Sequence, residues 1–117
     1  KMKEAGIKIL VGGDYGLDIA PHGTYAKDLE HYVNLFGFSN AEALHCATSM
    51  GGEAMNNDGL LGTIEEGKLA DLVIIDGNPL EDITILQDHK KIKAVMKDGL
   101  IYQGLTNKIN PYLNENL

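Results

Sequence analysis

Apolar positions follow two different rhythms along this chain. Ile7-Lys8-Ile9-Leu10-Val11-Gly12 is a short, β-branched-rich run closed by Gly12-Gly13, and it predicts a buried strand over 7–12. The residues before it, Lys1-Met2-Lys3-Glu4-Ala5-Gly6, read as the last turn of a helix with Gly6 as its C-terminal cap. Residues 13–23 then form a loop that is long for a strand-to-helix connection. From Gly23 or Thr24 to about Phe36 the rhythm becomes helical: Leu29, Tyr32, Val33 and Phe36 share one face, and Lys27, Asp28, Glu30, His31 and Asn34 take the other. Gly37 caps that helix. Ser39, with Glu42 three residues later, predicts a capping box for a second helix, which carries Ala43, Leu44, Ala47 and Thr48 to Met50 or beyond. Gly51-Gly52 weakens it and Asn56-Asn57-Asp58-Gly59 ends it.

The second rhythm is that of strands. Residues 60–64 are short and extended, and 65–68 form a turn. Leu69 to Asp76 is the strongest predicted strand, ended by Gly77-Asn78-Pro79. Residues 80–91 read as loop or a weak helical turn. Ile92–Lys97 and Leu100–Gln103 are two strands joined by Asp98-Gly99, a hairpin dipeptide. The chain therefore divides into an α/β part over 1–57, an antiparallel β part over 58–104 and an Asn-rich tail over 105–117.

Composition narrows the function classes. The 117 residues suffice for one ordinary domain, and 44% apolar with 23% charged residues describes a globular chain. A net charge of −7 argues against nucleic acid or an anionic membrane as a partner. Cys46 is the single cysteine, which excludes an internal disulfide and fits a reducing, cytoplasmic compartment. No apolar run approaches a membrane span in length and no signal peptide is present. A chain opening on the end of a helix is expected to continue upstream, so the missing signal peptide carries no weight.

Candidate chemistry centres on Asp14, which directly follows the predicted strand. Strand C-termini are where parallel α/β enzymes hold their reacting groups, although turns also use Asp for backbone hydrogen bonds. His22, in Pro21-His22-Gly23-Thr24, is either a water-exposed residue at a helix start or a group lining the same mouth. The four histidines, His22, His31, His45 and His89, include no His-x-His and no His-Glu-x-x-His. Glu42-Ala43-Leu44-His45 places one Glu-x-x-His on a helix, whereas a di-iron bundle needs two such pairs and further glutamates. Cys46 beside His45 is no nucleophile–base pair, since helix neighbours point about 100° apart, and a buried structural thiol is expected. Gly12-Gly13-Asp14-Tyr15-Gly16 lacks phosphate-loop spacing and is acidic, which suits a cation better.

Gly62-Thr63-Ile64-Glu65-Glu66-Gly67-Lys68-Leu69-Ala70-Asp71-Leu72-Val73-Ile74-Ile75-Asp76 closely resembles the C-terminal signature of the metal-dependent amidohydrolase superfamily. Val95-Met96-Lys97-Asp98-Gly99 resembles the hairpin that follows it there. Ala5 to Asp14 is similar to that family's eighth barrel strand with its metal-site aspartate, and the segment from Ala41 to Ala54 to the helix after it. The imidazolonepropionase-like and Xaa-Pro dipeptidase-like branch matches best, since Pro21-His22-Gly23 recurs there. One departure stands out: the family commonly reads Gly-Thr-Asp where this chain has Gly12-Gly13-Asp14.

The resemblance implies the last strand and helices of a TIM-like (β/α)8 barrel over 1–57, and part of a small β-sandwich over 58–104. It implies one or two divalent metals, zinc most often, with Asp14 as metal ligand and general base. His22 is then a contact for a small amide, cyclic-amide or peptide substrate. The family's other metal ligands lie upstream and find no match here, so the chain is expected to be a C-terminal part, inactive alone. The rest of the barrel, or a partner chain carrying the histidines, would complete it. The competing expectation is a stand-alone, non-catalytic module whose strand edges pair in a homo-oligomer.

Overall fold

The computed structural model describes residues 2–13, 15–18, 20–55 and 58–104. Three helices come first: α1 (Lys27–Phe36), α2 (Asn40–Ala47) and α3 (Ser49–Ala54). A three-stranded antiparallel sheet follows, β1 (Leu72–Ile75), β2 (Ile92–Lys97) and β3 (Leu100–Gly104), in the order β1-β2-β3. A 3₁₀ helix, Ile83–Gln87, connects β1 to β2.

The helices form where the sequence offers caps. Residues 24–29 enter α1 through i→i−3 turns, Lys27 N–H to Thr24 O and Asp28 N–H to Tyr25 O, so the α-helical ladder starts later than Thr24. At the other end Gly37 takes φ 70, and its N–H and that of Phe38 both reach Tyr32 O. This left-handed closure turns Phe38 inward against the Tyr32 ring, centroids 5.3 Å apart. The Ser39 capping box then starts α2: Glu42 N–H donates to Ser39 Oγ, and Ser39 N–H donates to Glu42 Oε2. The expected second helix is broken at Thr48 (φ −112, ψ −88), whose hydroxyl donates back to Leu44 O.

Leu29 of α1, Ala43 of α2 and Ile83 of the 3₁₀ helix make the buried core, with Val11, Tyr32, Val33, Leu44 and Leu86 packed around them. Gln87 donates to Glu30 across this junction at 2.8 Å, and Asn40 to Leu80 O at 3.0 Å. Two polar contacts therefore fix the connecting segment beside its apolar anchor. Cys46 is buried and unpaired with any disulfide partner, as its reading as a packed thiol expected.

Two predicted strands come out differently. The strand expected over 69–76 enters the ladder only at Leu72, because Leu69 N–H goes to Leu60 O and Asp71 N–H to Leu69 O. Residues 7–12 are not assigned to any sheet among the described residues. A strand exists through a neighbour's hydrogen bonds, and this run is held instead by side chains. Val11 packs on the core, Tyr32 donates its hydroxyl to Leu10 O, and Lys8 pairs with Glu53. Asp98-Gly99 does make the expected tight hairpin, with φ of 50 and 78 at its two residues.

Candidate functional site

The loop from Gly13 to Thr24 is folded on itself. Gly16 N–H donates to Ala20 O and Ala20 N–H to Leu17 O, each at 2.9 Å, making a small bridge between Leu17 and Ala20. Thr24 Oγ1 donates to Pro21 O at 2.7 Å, which sets the exit into α1. Asp14, the central residue of the sequence reading, lies outside the described residues.

His22 is exposed, and its Nδ1 lies 2.8 Å from the hydroxyl of Tyr25. Tyr25 in turn meets the edge of Tyr15 at a centroid distance of 4.4 Å. The Tyr15 hydroxyl reaches Tyr25 O at 3.3 Å. Its pKa is pushed up to about 12, by burial first and then by a hydrogen bond to Asp28 and that carboxylate's charge. Tyr15 is therefore a neutral phenol. These contacts tie two parts of the loop, at Tyr15 and His22, to Tyr25 and the first turn of α1.

Gly13 lies against the Tyr15 ring and the Asp28 carboxylate. A Cβ at this position would stand 2.5 Å from the Tyr15 ring and 3.0 Å from Asp28 Oδ2. The volume a threonine would use is filled by Tyr15. Gly16 has a related role: a Cβ there would come 3.2 Å from His22 Nε2, and its φ of 117 favours glycine independently.

The other candidates separate from this loop. Glu42 is occupied by the capping box and by Lys3, 2.8 Å away. His45 is exposed and pairs through Nδ1 with Ser49 Oγ. The Glu-x-x-His is thus one helix cap and one surface histidine. Among the described residues, no group of three or more His, Cys, Asp and Glu side chains comes together to hold a metal ion. The described residues do not by themselves fit a metal centre. No helix among them is long and apolar enough to cross a membrane.

Sequence reasoning singled out Asp14 and His22 but missed Tyr15, Tyr25 and Asp28. A signal existed for Tyr25, which stands only three residues after His22 across the turn that leads into α1. The Tyr15–Asp28 contact spans a loop whose path no local pattern gives.

Comparison with known proteins places this loop and its flanks. A sequence profile described as the amidohydrolase family matches residues 1–101. Ochratoxinase of Aspergillus niger is 35% identical over 109 residues, covering 89% of this chain and 22% of its own length. A crystal structure of a Xaa-Pro dipeptidase with methionine bound in the active site superposes with a TM-score of 0.78 at 39% identity, over 87% of this chain and 24% of that one. A putative prolidase from Bifidobacterium longum gives 0.78 at 37% identity, over 85% and 24%. The chain thus spans less than a quarter of the length of these relatives, and over that span the two solved structures follow the same path. It belongs to the amidohydrolase family.

Proposed function

We propose that this chain is the C-terminal part of a metal-dependent hydrolase that cleaves carbon–nitrogen bonds in small amides, cyclic amides or dipeptides. The observation that carries this reading is the family match over residues 1–101, together with relatives named ochratoxinase and Xaa-Pro dipeptidase. In this reading residues 1–57 supply the last strand and helices of a (β/α)8 barrel, and 58–104 the C-terminal strands of a composite β-sandwich.

Asp14 is the residue of this chain assigned to chemistry. Its carboxylate takes a proton from the attacking water and passes it to the leaving nitrogen as the carbon–nitrogen bond breaks. His22 contacts the substrate. A divalent metal, zinc foremost and one or two ions in number, enters the proposal through Asp14 as ligand. Because the described residues assemble no ligand set, the remaining ligands come from sequence beyond this chain or from a partner chain. The apolar surface of the sheet supports such a complement: Val73 on β1 and Tyr102 on β3 are 55% and 69% exposed.

Hydrolysis assays test the proposal. The full-length protein, supplied with zinc, is expected to turn over members of a panel of N-acyl amino acids and Xaa-Pro dipeptides, and the 117-residue chain alone none. Turnover by the short chain would sink the claim that it is an incomplete site. A stable symmetric oligomer of that chain without metal, measured by light scattering, favours the alternative of a non-catalytic module.

A further inference from the structure

We infer that Tyr25 is a positioning residue for His22, fixing which nitrogen of the imidazole faces the substrate. The inference rests on His22 being a substrate contact, as proposed above. Three observations carry it. The Tyr25 hydroxyl lies 2.8 Å from His22 Nδ1, so that nitrogen is engaged within the loop. The opposite nitrogen, Nε2, lies over Gly16, where a Cβ would stand 3.2 Å away; the missing side chain leaves room for the ring in this orientation, and His22 stays exposed. Tyr25 is itself held, because Tyr15 lies edge-on against its ring at 4.4 Å and occupies the space that Gly13 leaves.

We assign the Tyr25 hydroxyl as the donor in this contact, whose direction depends on the imidazole tautomer. With the Tyr25 hydroxyl donating to Nδ1, the neutral imidazole carries its proton on Nε2. An Nε2–H in an exposed loop is a donor for the carbonyl or carboxylate oxygen of an amide substrate. A hydroxyl that fixes the far nitrogen of a working histidine is worth about 10- to 100-fold when removed, on the scale seen for groups supporting a primary ligand.

A double-mutant cycle in the full-length protein tests this, with an N-acyl amino acid or Xaa-Pro dipeptide as substrate. Tyr25→Phe keeps the ring and its packing on Tyr15 and removes only the hydroxyl. It is expected to lower kcat/KM by about 10-fold. His22→Ala is expected to lower it at least as much. In the His22→Ala background the second change should cost nothing, since Tyr25 acts only through the imidazole. A purely structural Tyr25 gives the opposite pattern, in which the two losses add; that result, or an unchanged Tyr25→Phe enzyme, overturns the inference. An active wild type indifferent to His22→Ala overturns it too, while leaving amide hydrolysis intact. Absence of turnover from the full-length wild type on the whole panel overturns the functional reading, and the role of Tyr25 with it.

Discussion

Gly52 of α3 and Gly62 of the following loop lie backbone against backbone, with no room for a side chain at either position. A Cβ on Gly52 would stand 2.7 Å from Gly62 Cα and 2.6 Å from Leu61 O. A Cβ on Gly62 would stand 2.9 Å from both Ser49 Cα and Thr48 O. The contact joins the helical part of the chain to the start of its β part. It explains why Gly52 sits inside a helix, where the sequence alone reads a glycine as a weakness; a Cβ on its neighbour Gly51 would meet only Cys46 O, at 3.8 Å.

The sign of a substitution there is therefore reversed. Gly→Ala inside a helix normally stabilises by about 0.5–1 kcal/mol, yet overpacking a filled contact costs about 1–3 kcal/mol. Because the opposing atoms are backbone, Gly52→Ala is expected to lose about 1–2 kcal/mol net. Gly62→Ala should lose more, since its φ of 95 adds strain to the clash. Hydrogen exchange in the full-length protein measures both: amides of α3 should open faster in each variant. Unchanged or slower exchange in Gly52→Ala would show that the two segments separate at little cost.

Asp71 makes a comparable link in the β part. Its Oδ1 accepts from Asp98 N–H at 2.7 Å, while Gly99 N–H donates to Ala70 O at 3.2 Å. The Asp98 N–H, and after it Lys97, hold the Asp71 carboxyl below its ordinary range. Asp71 thus fastens the β2–β3 turn to the entry of β1. Asp71→Ala should speed exchange at the Asp98 and Gly99 amides selectively, leaving the amides of α1 unaffected. Equal acceleration throughout would instead make Asp71 a general determinant of stability.

Glu42 gives a pH dependence whose sign can be worked out. Its pKa is lowered to about 2 from an ordinary 4.5, first by the hydrogen bond from Lys3 and then by those from the backbone and side chain of Ser39. A depressed folded-state pKa means that the unfolded chain takes up the proton first as pH falls. The contribution of Glu42 is thus complete above pH 4.5 and is lost as pH falls through 2. Glu53, Glu65, Asp71, Asp76 and Asp82 are also lowered, so the whole protein weakens in acid for several reasons. The difference between wild type and Glu42→Gln isolates one of them. Urea midpoints of the two should differ above pH 4.5 and converge toward pH 2. A constant gap across that range would place the role of Glu42 in its shape rather than its charge.

The same residue marks what could be read from sequence and what could not. Ser39 and Glu42 are three apart, so their capping box was legible, as was the Asp98-Gly99 hairpin, because a local motif fixes each geometry. Lys3, which shares Glu42 and covers the Phe38 ring at 4.8 Å, is brought in by the tertiary path, and no local pattern announces it. The break at Thr48 was illegible for a related reason, since α2 and α3 read as one continuous run. The expected strand over 7–12 is the reverse case: its apolar pattern is plain, and what it lacks among the described residues is a ladder neighbour. At the candidate site, residue types pointed to Asp14 and His22, while the aromatic support from Tyr15 and Tyr25 became visible only once the loop was folded.

Asp14 supports the sharpest functional test. Asn has nearly the shape of Asp and can still accept hydrogen bonds in a turn, but it carries no charge and does not take a proton near neutrality. If Asp14 is the general base and a metal ligand, Asp14→Asn in the full-length protein should lower kcat by about 10²–10⁴-fold. It should also reduce bound metal, measured by elemental analysis, while circular dichroism stays near wild type. His22→Ala should act differently, raising KM more than it lowers kcat, because a group that binds substrate and transition state alike affects KM first. These contrasting signatures separate chemistry from binding within one loop. Full activity in Asp14→Asn would return Asp14 to the ordinary task of a turn aspartate, bonding the nearby backbone.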